Sequence, residues 1–215
     1  MALTLYYHPI ASFCWKALIA LYETGTPFHP VLVDLGDAAS RAAFAKVWPP
    51  AKFPVLHDPE SGLLVPESSM VIEWLAEHHT GEASLLPADA DLARETRLQD
   101  RFFDNYVHVP MQKIVGDRIR PADKKDPLGV EEAHRTLDMA VDMIEARMAG
   151  RRWAVGESFT MADCAAAPAL YYANRVHPIG AKHPSTLAYL ERLLQRPSFA
   201  RVLAEAEPLM HLFPG

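Results

Sequence analysis

Two short stretches carry the residue types that could hold a small peptide. In Lys52-Phe53-Pro54-Val55-Leu56 a proline opens an apolar run. Proline donates no amide and keeps the residue before it extended, so Phe53 is left to offer its own N–H and C=O sideways to a peptide-like ligand. In Pro66-Glu67-Ser68 an acidic and a hydroxyl residue stand where an amphipathic helix begins. Unpaired backbone N–H groups and the positive end of the helix dipole attract a carboxylate there. These are two halves of one binding site, and His57-Asp58-Pro59-Glu60-Ser61-Gly62 between them supplies the turn residues of a β-hairpin.

Other chemistries are excluded by what is missing. The two cysteines, Cys14 and Cys164, form no Cys-x-x-Cys pair, so neither a disulfide framework nor a zinc site is expected, and both read as small buried hydrophobes. The ten histidines lack metal-ligand spacing. With 21 basic against 27 acidic residues the net charge is −6, which gives no global attraction to nucleic acid or an anionic membrane. Met1-Ala2-Leu3-Thr4-Leu5 lacks the basic region and long apolar run expected of a signal peptide, no run approaches roughly 20 apolar residues, and a cytoplasmic protein is expected.

The elements that must position the site follow from periodicity. Leu3 to Tyr7 reads as a strand, and a helix opens after His8-Pro9-Ile10-Ala11 with Cys14, Ala17, Leu18 and Leu21 on one stripe and Gly25 as its stop. Phe28 to Val33 reads as an edge strand because of Pro30, and a short helix over 41–47 crosses to the hairpin. The helix after Ser68 places Val71, Trp74, Leu75 and His78 on its buried face and stops at Thr80-Gly81. An α/β domain over 1–80, a linker over 81–91 and an all-helical domain over 92–215 are expected. The helical part comprises a long helix over 92–115 kinked near Pro110, a charged loop over 118–127, and a core helix with Ala133, Leu137, Val141, Ile144 and Met148 ending at Gly150. An alanine-rich helix opened by the box Thr160-Met161-Ala162-Asp163 with Phe159 as staple follows, then helices over 185–195 and 198–206. Asp163 reads as structural.

Tyr7-His8-Pro9 through Gly25, Lys52-Phe53-Pro54-Val55-Leu56, Pro66-Glu67-Ser68 and the Thr160 to Asp163 box occur in the order seen in glutathione S-transferases, and the resemblance spans nearly the whole chain. It implies a thioredoxin-like first domain that binds glutathione, a helical-bundle second domain that helps hold a small hydrophobic electrophile, and a homodimer. By the same resemblance Pro54 is cis, Phe53 pairs its backbone with the cysteinyl part of glutathione, and Glu67 and Ser68 take the γ-glutamyl end. Lys52 is placed to meet the glycyl carboxylate.

The implied chemistry depends on a thiolate. A free thiol has a pKa of about 8.5, so a hydrogen-bond donor aimed at the sulfur raises the reactive fraction at neutral pH. Ser12, in the loop opening the first helix, has the hydroxyl and the helix-terminus setting for this, as expected of a bacterial, serine-type loop. In many serine-type members the activating serine falls at the position of Ala11, whereas Ser12 matches the cysteine of a bacterial class. A serine there is also a common N-cap. Tyr7 stands where the tyrosine-type members carry their hydroxyl and is the alternative activator. Phe103, Tyr106, His108, Met111 and Gln112 on the long helix are candidates for the electrophile side, His108 as a neutral donor. The expected activity is conjugation of glutathione to small electrophiles in detoxification, with a glutathione-dependent isomerase or dehalogenase, or a non-catalytic binding or regulatory protein, as alternatives on the same fold.

Overall fold

A computed structural model describes residues 2–79 and 84–214. The predicted helix stop at Thr80-Gly81 and the first part of the linker, 81–83, lie outside the described residues. The strand β1 (Leu3–Tyr7) leads through the loop 8–11 into the helix α1 (Ser12–Glu23), and β2 (Phe28–Leu32) returns parallel to β1. The helix α2 (Ala38–Val47) starts earlier than expected, because Asp37 accepts the Ser40 amide at 2.7 Å and caps it. The hairpin strands β3 (Val55–Asp58) and β4 (Leu63–Pro66) complete a four-stranded sheet of order β2-β1-β3-β4, with β3 antiparallel to both neighbours. Pro30 lies on an edge strand, where its missing N–H leaves no ladder bond unmade. The helix α3 (Ser68–His78) closes this thioredoxin-like unit; its Val71, Trp74 and Leu75 are buried, whereas His78 is exposed and stacks on Trp74 at 4.6 Å.

The expected long helix is three pieces. The helix α4 (Ala90–Phe102), capped by Asp89, runs into a π-helical turn over Phe103–His108 and continues as α5 (Val109–Arg118). The irregularity therefore precedes Pro110, which sits in the first turn of α5 where its missing N–H costs nothing. The helices α6 (Pro127–Met148), α7 (Met161–Val176), α8 (Pro184–Leu194) and α9 (Pro197–Ala206) follow, then a 3-10 segment over Glu207–Leu212. Asp163 accepts from the Thr160 amide and hydroxyl, the Ala154 amide and the Tyr189 hydroxyl at 2.6 to 3.0 Å, so its charge is spent on holding the start of α7.

The α1 helix is the common partner of both halves and packs against α3, α7 and α9. Every residue from Cys14 to Leu21 on it is buried. Trp15 is enclosed by Tyr172 at 4.6 Å, Tyr171 at 5.3 Å and Phe199 at 5.9 Å, so the helical layer grips the helix that starts at Ser12. Among the described residues no helix is long and apolar enough to cross a membrane, and no group of three or more His, Cys, Asp or Glu side chains is placed to hold a metal ion.

Candidate active site

The loop before α1 has its carbonyls tied down. The Ala11 amide donates to the His8 carbonyl at 3.0 Å, the Trp15 indole to that of Pro9 at 2.5 Å, and the Tyr172 hydroxyl to that of Ile10 at 2.8 Å. With the acceptors used, the amides of Ser12 and Phe13 in the first turn have no backbone acceptor among the described residues. The N-cap is Ala11, not Ser12. Ser12 is the first helical residue, 8 % exposed, and its hydroxyl makes no hydrogen bond among the described residues. It lines a cavity of about 440 Å³ between the sheet end and the helical layer.

The hairpin supplies the opposite wall. Phe53–Pro54 is a cis peptide bond, and Phe53 falls just outside β3, so its backbone groups have no ladder partner. Phe13, Lys52 and Phe53 line both the Ser12 cavity and a smaller recess of about 150 Å³ that continues to Glu67 and Ser68. Ser68 is 5 % exposed and, like Ser12, is a first-turn serine with no hydrogen bond to its hydroxyl among the described residues. Lys52 and Glu67 are exposed, and neither makes a hydrogen bond or close ion pair through its side chain among the described residues. Ala51 and Glu67, with φ of 50° and 68°, are the non-glycine residues in the left-handed region among those described, and they border the two halves of this site. Such strain persists where surrounding structure enforces it and gathers at binding sites.

The remaining candidates separate. Met111 and Gln112 line the Ser12 cavity together with Val115, Tyr172, Phe213 and Pro214. Phe103 is buried in the core, and Tyr106 is 47 % exposed, packed on Phe102 at 5.5 Å away from the cavity lining. His108 is fully buried one layer behind, its ring stacked on Phe13 at 4.2 Å. Burial and the charge of Lys16 push it down to about 3, so it is neutral at neutral pH. Tyr7 lines a different cavity, of about 410 Å³, with Tyr22, Arg201 and Glu205. Burial raises its phenol above the ordinary value. Cys14 is pushed up to about 12 by burial and is an inert core thiol.

One cluster carried no sequence signal. Lys16, one turn after Ser12, is fully buried, with its Nζ 2.5 Å from Asp100 Oδ1, 2.8 Å from Asp104 Oδ2 and 2.7 Å from the Ser69 hydroxyl. Arg101 closes the cluster from solvent, contacting Ser69 and both carboxylates, at 2.8 Å from Asp100 and 2.6 Å from Asp104. Two cations offset two carboxylates, as burial demands. The cluster joins the helix of Ser12, the helix of Ser68 and the α4 to α5 segment. An isolated lysine on an apolar stripe and acidic residues about 85 positions later are ordinary surface residues until the fold brings them together.

The glutathione S-transferase N-terminal domain model matches residues 5–83 and the C-terminal domain model residues 127–192. A glutathione S-transferase-like protein of a Fusarium species is 32 % identical over 176 residues, covering 79 % of this chain and 76 % of its own length. Glutathione S-transferase 3 of Zea mays is 30 % identical over 211 residues, covering 94 % and 93 %. A crystal structure of a glutathione S-transferase from Methylobacterium radiotolerans, in complex with glutathione sulfonate, superposes with a TM-score of 0.82 at 28 % identity over 94 % of each chain. Two domain models in sequence order, relatives of 30 % and 32 % identity matched over 93 % and 76 % of their length and a common fold agree: this chain belongs to the glutathione S-transferase family.

Proposed function

We propose that the chain binds glutathione in the recess between Phe53 and Ser68 and presents its sulfur to Ser12 for attack on small hydrophobic electrophiles. The donor set fits the tripeptide. Ser68 and the free amides at the start of α3 suit the γ-glutamyl carboxylate, exposed Glu67 its ammonium, the unpaired backbone of Phe53 the cysteinyl unit, and Lys52 the glycyl carboxylate. The thiol proton leaves to solvent, the Ser12 hydroxyl donates to the thiolate, and the sulfur forms a bond to carbon as the leaving group departs with its electron pair. Met111 and Gln112 line the electrophile side. A cytoplasmic homodimer divided near 81–91 completes the reading. Met70 and Leu98, exposed on the two helices joined by the Glu73–Arg97 ion pair at 2.9 Å, are its proposed interface.

The observation that carries the reading is Ser12, nearly buried at a helix N-terminus, lining the cavity, with no hydrogen bond to its hydroxyl among the described residues. The test is glutathione binding by calorimetry with the thiolate absorbance followed against pH, for wild type and Ser12→Ala. A hydrogen bond to a charged group contributes about 1.5–3 kcal/mol, so the bound thiol's pKa rises by roughly one to two units in the variant. Equal thiol pKa values in both proteins would remove Ser12 from the role. Binding with a depressed thiol pKa but no turnover of any electrophile would favour the non-catalytic alternative, and turnover without net conjugation the isomerase.

A further inference from the structure

We propose that the connection over 177–183 between α7 and α8 is a proton-operated strap, which the His134–His177 pair keeps fastened to α6 until both rings carry charge. The strap lies outside the proposed glutathione site and does not depend on it. On α6, Asp138, Asp142 and Glu145 follow one another at helical spacing and engage this connection in turn. His177 Nε2 lies 3.1 Å from Asp138 Oδ1, and His183 Nε2 lies 2.7 Å from Asp142 Oδ1. The Ser185 and Thr186 amides, in the first turn of α8, donate to Glu145 at 3.0 and 2.8 Å. Three carboxylates thus hold the end of α7, the loop and the start of α8. Within the loop Ile179 is buried, and its amide donates to Asn174 Oδ1 at 2.8 Å.

The fastening at the end of α7 has a second member. His134 Nδ1 and His177 Nδ1 are 2.8 Å apart with the ring centroids at 5.1 Å, so the two nitrogens lie close to the line between the rings and face each other head-on. Ligands of one metal ion converge on it at an angle, whereas a shared hydrogen sits between nitrogens placed in this way. Because His177 Nε2 donates to Asp138, the neutral pair has a bare His177 Nδ1 that accepts from His134 Nδ1–H. A first added proton still leaves one of the two facing nitrogens bare, and the bond survives. A second puts hydrogen on both, so the bond is lost and two cations stand against each other.

The surroundings set the direction of the response. Asp138 favours charge on the pair, and Arg118 at the end of α5 opposes it. Glu131, engaged by Arg135 at 2.6 Å, lines a cavity with His134, Asp117, Arg118 and Lys125. Further along the strap Lys182 lies 3.9 Å from Asp142. Burial, the His177 ring and Arg118 together hold the His134 imidazole below its ordinary value. A histidine held low in the closed form gains its proton on opening, so the strap is fully fastened above about pH 6.5 and loosens as pH falls.

Hydrogen exchange of the full-length protein at pH 7 and pH 5, corrected for intrinsic rates, measures protection over 177–183 against that over α7. In wild type the protection of 177–183 falls roughly tenfold or more at pH 5 while that of α7 holds, since opening linked to one proton shifts by up to about tenfold per pH unit. His134→Ala is unprotected there at both pH values. His134→Gln keeps an amide donor for His177 without a titrating ring and stays protected at both. Wild-type protection that ignores pH, equal protection in wild type and His134→Ala, or an undiminished pH response in His134→Gln would each overturn the strap. Nuclear magnetic resonance of the imidazole nitrogens in wild type gives a reading free of variants: the pair takes up two protons in separated steps, and uptake in a single step would equally refute the shared hydrogen.

Discussion

The two halves of the site are built by different means. The half proposed to hold glutathione is made largely of backbone: a cis peptide bond at Phe53–Pro54, first-turn amides of two helices with no backbone acceptor among the described residues, and Glu67 in the left-handed region. The half proposed to face the electrophile is made of side chains from segments far apart in sequence, Met111 and Gln112 on α5, Tyr172 on α7 and Phe213 beyond α9. The first is a local device that short motifs encode. The second exists only once the helical layer has packed, so its chemistry depends on residues that no short motif brings together. The Lys16 cluster is where the two are joined, and the largest test of the contrast acts there.

Lys16→Met leaves Asp100 and Asp104 buried with Arg101 as their remaining cation. Removing one partner of a buried ion pair costs about 3–5 kcal/mol, which in a chain of this size lowers Tm by roughly 10 °C. Differential scanning calorimetry measures this. Because the cluster contacts both Ser12's helix and Ser69, the Michaelis constants for glutathione and for electrophile rise together. A variant as stable as wild type would show that the halves are held together elsewhere.

Ser68→Ala sharpens the contrast from the other side. It deletes a hydroxyl in the recess without touching the cavity of Phe213. Loss of one charge-assisted hydrogen bond of about 1.5–3 kcal/mol weakens glutathione binding roughly tenfold or more and leaves the preference for S-benzylglutathione over S-methylglutathione unchanged. A changed preference would mean that the halves are not separable.

What the sequence disclosed divides along the same line. The elements along the chain, the hairpin, the Thr160 to Asp163 box and the two first-turn serines rest on contacts within a few residues, and periodicity and turn chemistry reveal such contacts. Tyr106 and His108 were candidates because they share a helix with Met111, yet the π-helical turn rotates their stretch so that Tyr106 faces solvent and His108 the core. An extra residue in a helical turn leaves no mark on composition. Phe213, Tyr172 and Lys16 were invisible for the complementary reason, since each acts through a neighbour about 40 to 90 or more residues away.

His108 probes the joint through pH. Its folded value of about 3 lies below the ordinary 6.5, so between these limits the unfolded chain binds a proton that the folded chain does not. The stability linked to it is complete above pH 6.5 and is lost as pH falls, at up to about 1.4 kcal/mol per unit. Asp104 works in the opposite sense: burial raises its carboxyl, so its ionised form weakens the fold as pH rises through that raised value. His108→Leu should flatten the dependence of urea-derived stability between pH 6 and 4. An unchanged slope would show that the imidazole gains its proton in the folded state.

Tyr7→Phe is the smallest effect expected and the most direct check on which hydroxyl serves the sulfur. Tyr7 and Ser12 leave opposite ends of one short loop, yet they line different cavities, and the phenol is held neutral by burial and by the nearby charge of Glu205. A group raised above its ordinary value and turned away from the cavity has neither the position nor the acidity to stabilise a thiolate there. Tyr7→Phe should therefore leave the bound thiol's pKa within about 0.2 units of wild type and kcat within about twofold, since removing one half-buried hydroxyl costs about 1 kcal/mol of stability at most. A shift of a full unit would reverse the assignment of the two residues, and with it the claim that the first turn of α1, rather than the end of β1, presents the chemistry.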